Sequence, residues 1–518
     1  MAAAGRARRG AGLSAAALLA LPALALLALP ALPVLPPGRG GGGEAQPGFS
    51  PPPGFSPPLL LPPGLREELR QRRRDLRRLE AAAGGGEAAG AAGLGCGDLS
   101  RATAVSVLGW GFTKVVARAV LAGGGSVALK SVHGAGREVR RCVQRYGAPA
   151  GCRRLAAYKL LKEVTLLRRL QHPGIVKVRR GLRGPLPRHG GAGELLPGLS
   201  RSARGARAVL GRPRSVGVGG DIDPTVASAL SQLYGQCYDN SGDAELRVTA
   251  MLELGSPLEM IQLLQTPWEE RFKICLSLVK LLFYLAHSPL GSIALLDFQP
   301  RQFVMVDGNL KVTDMDDAST EELSCKEDND CTLDFPTKSF PLKCSVVGKC
   351  EGINEKKNLF NAYRYFFTYL LPHSAPPALR PLLSDILNAT GDLRYGINET
   401  LRAFEKVLHL YKSGLYLQKR PLLLKDYISL KGFRTVEGEG HKCWPSYSHL
   451  GCLLSIHSAE EAAAICNSQL HCQSFIVTQH RTWTGRPLAS FQSSWTDLIP
   501  DTNAVVYIKR SASSGGRL

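Results

Sequence analysis

The sequence predicts an α+β fold in two lobes, a small β-rich lobe followed by a larger helical one, with a small disulfide-rich module near the C-terminal end. Three features predict it. Ala104 to Lys130 reads as strand, Gly-rich turn, strand, turn, strand, because short Val/Ala-rich stretches alternate with glycines that break them. The period then changes: Leu155, Leu160, Leu161, Val164, Leu167 and Leu170 recur at helical spacing, and the run stops before His172-Pro173. Phe272 to His287, Asn358 to Leu371, Leu379 to Leu387 and Glu399 to Tyr411 show the same period, which makes the second lobe helical. Finally, eight of the 13 cysteines form two local sets, Cys325/Cys331/Cys344/Cys350 and Cys443/Cys452/Cys466/Cys472, the second within residues 440–510.

Two segments stand apart by composition. Of the 56 Gly and 34 Pro in 518 residues, 46 lie in residues 1–95 and 178–232, and these two segments carry +5 and +6 of the formal charge of +21. About half the basic excess thus falls outside the expected core, so the charge points to matrix or substrate association and not to nucleic acid as a partner. Residues 1–36 place Arg6, Arg8 and Arg9 before an Ala/Leu run broken by Pro22, Pro30 and Pro33, the pattern of a signal peptide or short signal anchor. The prolines disfavour a spanning helix, and no later window holds 18 uninterrupted apolar residues, so no stable membrane span is expected after signal removal. Residues 37–95 read as a disordered Pro/Gly/Arg-rich linker. Within it, Leu65 to Glu80 is a basic helix candidate, read as solvated, whose Arg70-Gln-Arg-Arg73 resembles a processing site. The compact part is expected from Cys96, with the two lobes over 96–415.

Residues 178–232 hold nine Arg, no Lys and no periodicity, and they interrupt an apolar run that otherwise continues from Lys177 to Leu233. Lys177-Val178-Arg179 can be encoded AAG-GTG-CG and Gln232 by CAG, the two ends of an intron, so the segment reads as a translated retained intron or gene-model error. A disordered loop is expected there.

Cysteine usage agrees with secretion. Even-numbered clusters without tight C-x2-C pairs read as disulfides and not as zinc sites, with Cys142 and Cys152 a third group and Cys275 a buried free thiol. Asn388-Ala-Thr390 and Asn398-Glu-Thr400 are glycosylation acceptors that can be used only in the secretory lumen.

The chemistry lies in an ordered set of motifs. Leu108-Gly109-Trp110-Gly111-Phe112-Thr113-Lys114-Val115-Val116 is a G-x-G turn on a strand pair, and Val127-Ala-Leu-Lys130 follows on the next strand. In a kinase such a lysine holds the α and β phosphates and pairs with a helical carboxylate, here Glu163. Farther on, Asp297 is placed to accept a substrate hydroxyl proton, Gln302 five residues later to reach a metal, and Asp314 to chelate it. There are departures: Leu295-Leu296 stands for the usual His-Arg, Met315-Asp316 for Phe-Gly, Gln302 for Asn and Lys114 for the third Gly. Disulfides are expected to staple the segment between Asp316 and Asn358.

These motifs, with the phrases LAAYKLLKE, LLDFQPRQFV, VTDMDDA and CEGINEKKN, resemble the vertebrate lonesome kinase family of secreted protein-tyrosine kinases. The resemblance implies a two-lobed protein-kinase-like fold and ATP with Mg2+ or Mn2+. It also implies tyrosine phosphorylation of secretory-pathway and extracellular-matrix proteins, and a Golgi and extracellular location. Carried to this chain, Leu108 to Val116 and Lys130 bind nucleotide and Asp297 is catalytic. Glu163, Asp314 and Gln302 follow from general kinase logic. Arg301, four residues after Asp297, and Gln299, in place of the Lys of Ser/Thr kinases, add to the tyrosine reading. A secreted pseudokinase acting as a binding module and a Ser/Thr or glycan kinase are the alternatives, the first resting on Met315-Asp316 and Gln302. Residues 440–510 resemble small PAN-like docking modules, with Trp483, Trp495 and Tyr507 expected in their core.

Overall fold

The computed structural model describes residues 61–81, 102–183, 248–417, 423–435, 452–495 and 497–510. The leader, Cys96 and most of residues 178–232 lie outside them. The N-terminal lobe is the expected meander: β1 (Ala104–Trp110), β2 (Lys114–Val120) and β3 (Ser126–Val132) are antiparallel. β4 (Val178–Arg183) and β5 (Val248–Glu253) complete the sheet in the order β1-β2-β3-β5-β4. Strand alternation divides its residues. Ala117, Ala119, Val127, Leu129 and Met251 form a small core on one face, while Ala128, Ala250 and Leu252 join the main core on the other. β4 corrects the expectation that residues 178–232 are wholly irregular: Val178 and, after a bulge at Arg179, Arg180 to Arg183 pair with β5, whose backbone groups otherwise form an open edge.

Two helices lie against that second face. α2 (Arg137–Tyr146), which the sequence reading missed, is joined by the Cys142–Cys152 disulfide to α3 (Pro149–Arg169), the helix expected over Leu155 to Leu170. α1 (Pro63–Ala81) is a second correction. Its leucines Leu65, Leu69 and Leu76 are buried in the main core against α3, so the basic helix is half embedded instead of solvated, and the folded part begins upstream of Cys96. The packing is close: a Cβ on Gly151 would stand 2.7 Å from a Leu65 methyl. Seven of the eleven arginines counted in residues 1–95 therefore belong to the folded lobe.

The helical lobe contains α4 (Met260–Leu264), α5 (Trp268–Ala286), α6 (Ile353–Ala362), α7 (Arg380–Gly391) and α8 (Ile397–Ser413). A π turn at Tyr363–Phe367 extends α6 and turns Phe366 and Phe367 into the core. Short strands run between the lobes: β6 (Ser256–Pro257) with β8 (Phe303–Val306) and β9 (Asn309–Val312), and β7 (Ala294–Leu295) with β10 (Ala318–Ser319). The segment after β10 is stapled as expected, by Cys325–Cys344 and Cys331–Cys350 around the hairpin β11 (Thr332–Phe335) and β12 (Lys338–Pro341). Phe335 and Phe340 of the hairpin pack on Phe360 of α6, with ring centroids 4.2 and 5.1 Å away. Cys275 is a buried free thiol, as expected.

The C-terminal module is a five-stranded sheet, in the order β13-β17-β15-β16-β14. Its elements are β13 (Tyr427–Thr435), β14 (Cys452–Ser455), α9 (Ala459–Asn467), β15 (Ser474–Arg481), β16 (Pro487–Gln492) and β17 (Leu498–Lys509). β13 pairs with β17, so the sheet starts upstream of residue 440. Cys466–Cys472 ties α9 to β15, and Ser458 caps α9 through the Glu461 amide. Trp495 and Tyr507 join the module's cores as expected, but Trp483 packs on the main core of the helical lobe.

Candidate active site

Register builds the site. Val116 on β2 stands opposite Lys130 on β3, and cross-strand partners share a face, as do residues two apart on one strand. Lys114, Val116 and Lys130 therefore point the same way, toward α3. Glu163, in the middle of α3 and fully buried, receives both lysines: Lys130 Nζ lies 2.5 Å from its Oε1 and Lys114 Nζ 2.7 Å from its Oε2. The expected Lys130–Glu163 pair is thus present, with a second lysine, Lys114, that the sequence reading placed in the nucleotide-binding turn, as a departure at the third Gly position, without a carboxylate partner.

Asp314 closes the cluster from the segment after β9. Its Oδ1 is 2.6 Å from Lys114 Nζ and 3.5 Å from Lys130 Nζ, and Lys130 also donates to the Thr313 carbonyl at 3.1 Å. Asp316 Oδ2 is 2.6 Å from Lys114 Nζ and 3.5 Å from Lys159 Nζ. Met315 between them is buried in the main core, so the two aspartates flank an apolar anchor. Burial by itself pushes Lys114 toward neutrality, but Glu163, Asp314 and Asp316 hold its ammonium well above the ordinary lysine range. Burial likewise raises Asp314, and Lys130 and Lys114 more than reverse this, holding it well below the carboxylate range. Asp316 is pushed up to about 6, first by burial and then by the Asp314 charge.

The loop bearing Asp297 is clamped from α6. Asn358, buried, accepts from the Leu295 amide at 2.8 Å and donates to the Ile293 carbonyl at 2.7 Å. Asn354 donates to the Ser292 carbonyl at 2.9 Å. Neither asparagine was singled out from sequence. Asp297 Oδ1 accepts from Gln299 at 2.9 Å; its Oδ2 accepts from Arg301 at 3.3 Å and from the Gln302 side-chain amide. Gln302 thus spends its N–H2 on Asp297, and its amide oxygen is the group left for a cation. Lys162, next to Glu163, donates to the Ala318 carbonyl at 2.6 Å, tying α3 to β10.

The Gly-rich turn fits a close-approaching ligand. A Cβ on Gly109 would meet nothing within 4 Å, and one on Gly111 only the Lys114 carbonyl at 3.7 Å. No protein atom demands glycine there, so the bare backbone faces open space. Leu108, Trp110 and Phe112 are exposed, whereas Thr113, Lys114 and Val115 are buried, which anchors one end of the turn. Thr113 donates to Glu138 of α2, and the Arg141 guanidinium lies 5.0 Å over the Phe112 ring. Asp314 and the Gln302 amide supply the oxygen ligands that hard divalent cations take.

A small twisted sheet over a helix bearing a buried glutamate, joined to a helical lobe that presents an Asp loop and a second Asp after a hairpin, defines a protein-kinase-like fold. Comparison with known proteins agrees. The model of the protein-kinase domain of FAM69 matches residues 226–390. Human extracellular tyrosine-protein kinase PKDCC is 47% identical over 418 residues, which cover 81% of this chain and 74% of PKDCC. The chain belongs to the vertebrate lonesome kinase family.

Proposed function

We propose that the protein is a secreted tyrosine kinase that transfers the γ-phosphate of ATP to tyrosine hydroxyls of secretory-pathway and extracellular-matrix proteins. The observation that carries this reading is the buried pair of Lys130 and Glu163 at 2.5 Å beside Asp314. It joins strand lobe, helix and metal-site loop, the arrangement in which a kinase lysine can grip phosphates. ATP is held by the Leu108 to Val116 turn and Lys130. Asp314 and the Gln302 amide oxygen hold Mg2+ or Mn2+, which when bound neutralises phosphate charge.

Asp297 takes the substrate proton. Of roughly four lone-pair sites on a carboxylate, three accept from Gln299, Arg301 and Gln302, which leaves one for the tyrosine hydroxyl and fixes its direction. Glu163 positions Lys130, and Asn358 positions the loop. Arg301 and Gln299 around Asp297, together with the name of the human relative, support tyrosine as the acceptor. The disulfides support the secretory pathway, with the Golgi lumen in transit. Among the described residues no helix is long and apolar enough to cross a membrane. Asn388 and Asn398 are exposed, as glycan acceptors must be, while Thr390 and Thr400 of their triplets are buried.

The test compares wild type with Lys130→Met, both secreted from cells, with mass spectrometry to identify the phosphorylated side chain. Loss of one preorganised electrostatic contact costs on the order of a hundredfold to a thousandfold in rate. Equal phosphotyrosine yield from the two proteins defeats catalysis by this site. Phosphate found only on Ser, Thr or glycan overturns the tyrosine assignment.

A further inference from the structure

Lys114 Nζ stands among three carboxylates. Its ammonium, on a side chain 5% exposed, touches Asp314 Oδ1 and Asp316 Oδ2 at 2.6 Å each and Glu163 Oε2 at 2.7 Å. Two buried carboxylates, Glu163 and Asp316, and the partly buried Asp314 converge on this one cation, which offsets their mutual repulsion. Lys130 takes the other oxygen of Glu163 and reaches Asp314 only at 3.5 Å, and Lys159 serves Asp316 at 3.5 Å and Asp317 at 3.1 Å. No other lysine bridges both aspartates among the described residues. A Mg2+ ion sits about 2.0–2.1 Å from its oxygen ligands. An ion on Asp314 at that range and an ammonium 2.6 Å from Asp314 Oδ1 are two positive charges on one carboxylate, so each weakens the other's hold on it.

Geometry also lets the lysine move. Lys114 follows the Gly-rich turn and pairs with Val132, two residues from Lys130 on β3, so the two lysines share a face of the sheet. Its flexible four-carbon stem lets the ammonium leave the aspartates without moving the strand.

We propose that Lys114 is a built-in counter-ion. In the nucleotide-free protein it holds Asp314, Asp316 and Glu163 together; a divalent ion then displaces it from the aspartates onto the nucleotide phosphates, where it acts as a second phosphate-binding lysine. This rests on the kinase reading of the same site, but its readout is cation binding and lysine exposure, not phosphate transfer.

The test is carried out on the whole secreted protein without nucleotide, with Mn2+ as the probe and free Mn2+ followed by electron paramagnetic resonance. Lys114→Met, which removes the competitor, is expected to bind Mn2+ about tenfold more tightly than wild type, Lys130→Met to change much less, and Lys114→Arg to stay near wild type. Equal Mn2+ affinity in wild type and Lys114→Met overturns the proposal. Should Lys114→Met fail to fold, wild type alone decides: acylation by an amine-reactive reagent, read by mass spectrometry at Lys114, is expected to rise when Mn2+ is added and fall again with Mn-ATP. Unchanged Lys114 labelling on Mn2+ addition overturns it. A protein that passes these tests yet phosphorylates nothing fails the kinase reading alone.

Discussion

Helix α1 and the C-terminal module both sit on the kinase lobes from outside the motif-bearing core, and they are attached by opposite physics. α1 is held by leucines, with polar contacts only at its edges: Arg73 Nε to Tyr158 Oη at 3.2 Å and Tyr146 Oη to Glu68 at 2.5 Å. The module is held by a polar hub centred on one arginine, with Trp483 packed on the main core beside it. Arg486, 3% exposed, stacks 3.9 Å over Tyr411 of α8. It donates to the Tyr411 carbonyl at 2.8 Å and Tyr416 Oη at 2.9 Å, and pairs with Glu461 at 2.5 Å. Thr484 adds a bond to Glu269 of α5 at 2.6 Å, and Glu269 in turn accepts from Tyr411 Oη at 3.1 Å. An apolar seam loses stability in proportion to what is removed, whereas a buried polar hub fails as a unit, because each lost partner strands another. The two attachments also touch different things: α1 lies on the helix that carries Glu163, and the module lies on α5 and α8, away from it.

The largest effect is expected at the hub. Arg486→Met removes the cation from the largely buried Glu461, leaving it the Tyr416 hydroxyl and the His457 amide, and costs about 3–5 kcal/mol, read as a fall in unfolding temperature and in secreted yield. Arg486→Lys should recover little, since a single ammonium cannot stack and fork to three acceptors at once. Full recovery would show that charge alone holds the module.

Next comes Leu65→Ala, which empties a fully buried site against Gly151 and costs about 2–3 kcal/mol, the lower part of the range for such truncations. Here activity per folded molecule should fall with stability, because α3 and Glu163 lose their outer support, whereas Arg486→Met should leave specific activity unchanged in the fraction that folds. Kinetics on purified, folded protein separates the two, and equal specific activity in both variants would erase the contrast.

Overfilling the same seam is milder. Gly151→Val sets a Cβ within 2.7 and 2.9 Å of the Leu65 and Leu61 methyls, and costs about 1–3 kcal/mol by thermal melt. The smallest change is Tyr158→Phe, which removes the Arg73 hydrogen bond at the half-open edge for about 0.5–1.5 kcal/mol. A larger loss than for Leu65→Ala would mean that polar contacts hold α1 after all.

Much of the site was legible because kinase chemistry needs residue types in a fixed order. Val127-Ala-Leu-Lys130 and Glu163 in its helix meet as the spacing predicts, with Asp314 beside them, and the first cysteine set closes as local bridges. The misses share a cause. Lys114 read as a residue of the nucleotide-binding turn at a lost glycine, and its carboxylate partners were missed because motif spacing says nothing of direction. The signal that could have found it is period two: Lys114 lies two residues before Val116, and Val116 pairs with Lys130. α1 read as solvated because seven arginines outweigh Leu65, Leu69 and Leu76 in any average, although those leucines at i, i+4 and i+11 mark one face of a helix. Trp483 was assigned to the nearest core in sequence, and it packs on another.

From sequence alone came the lobes, their order and the kinase family, since each depends on local period or on motifs that only a few side chains supply. Tertiary structure decided which charges meet. Two lysines share Glu163, one of them bridges Asp314 and Asp316, and a basic helix turns its few leucines inward. Such contacts depend on the register of β2 against β3 and on how segments far apart in the chain pack, and burial then sets their strength.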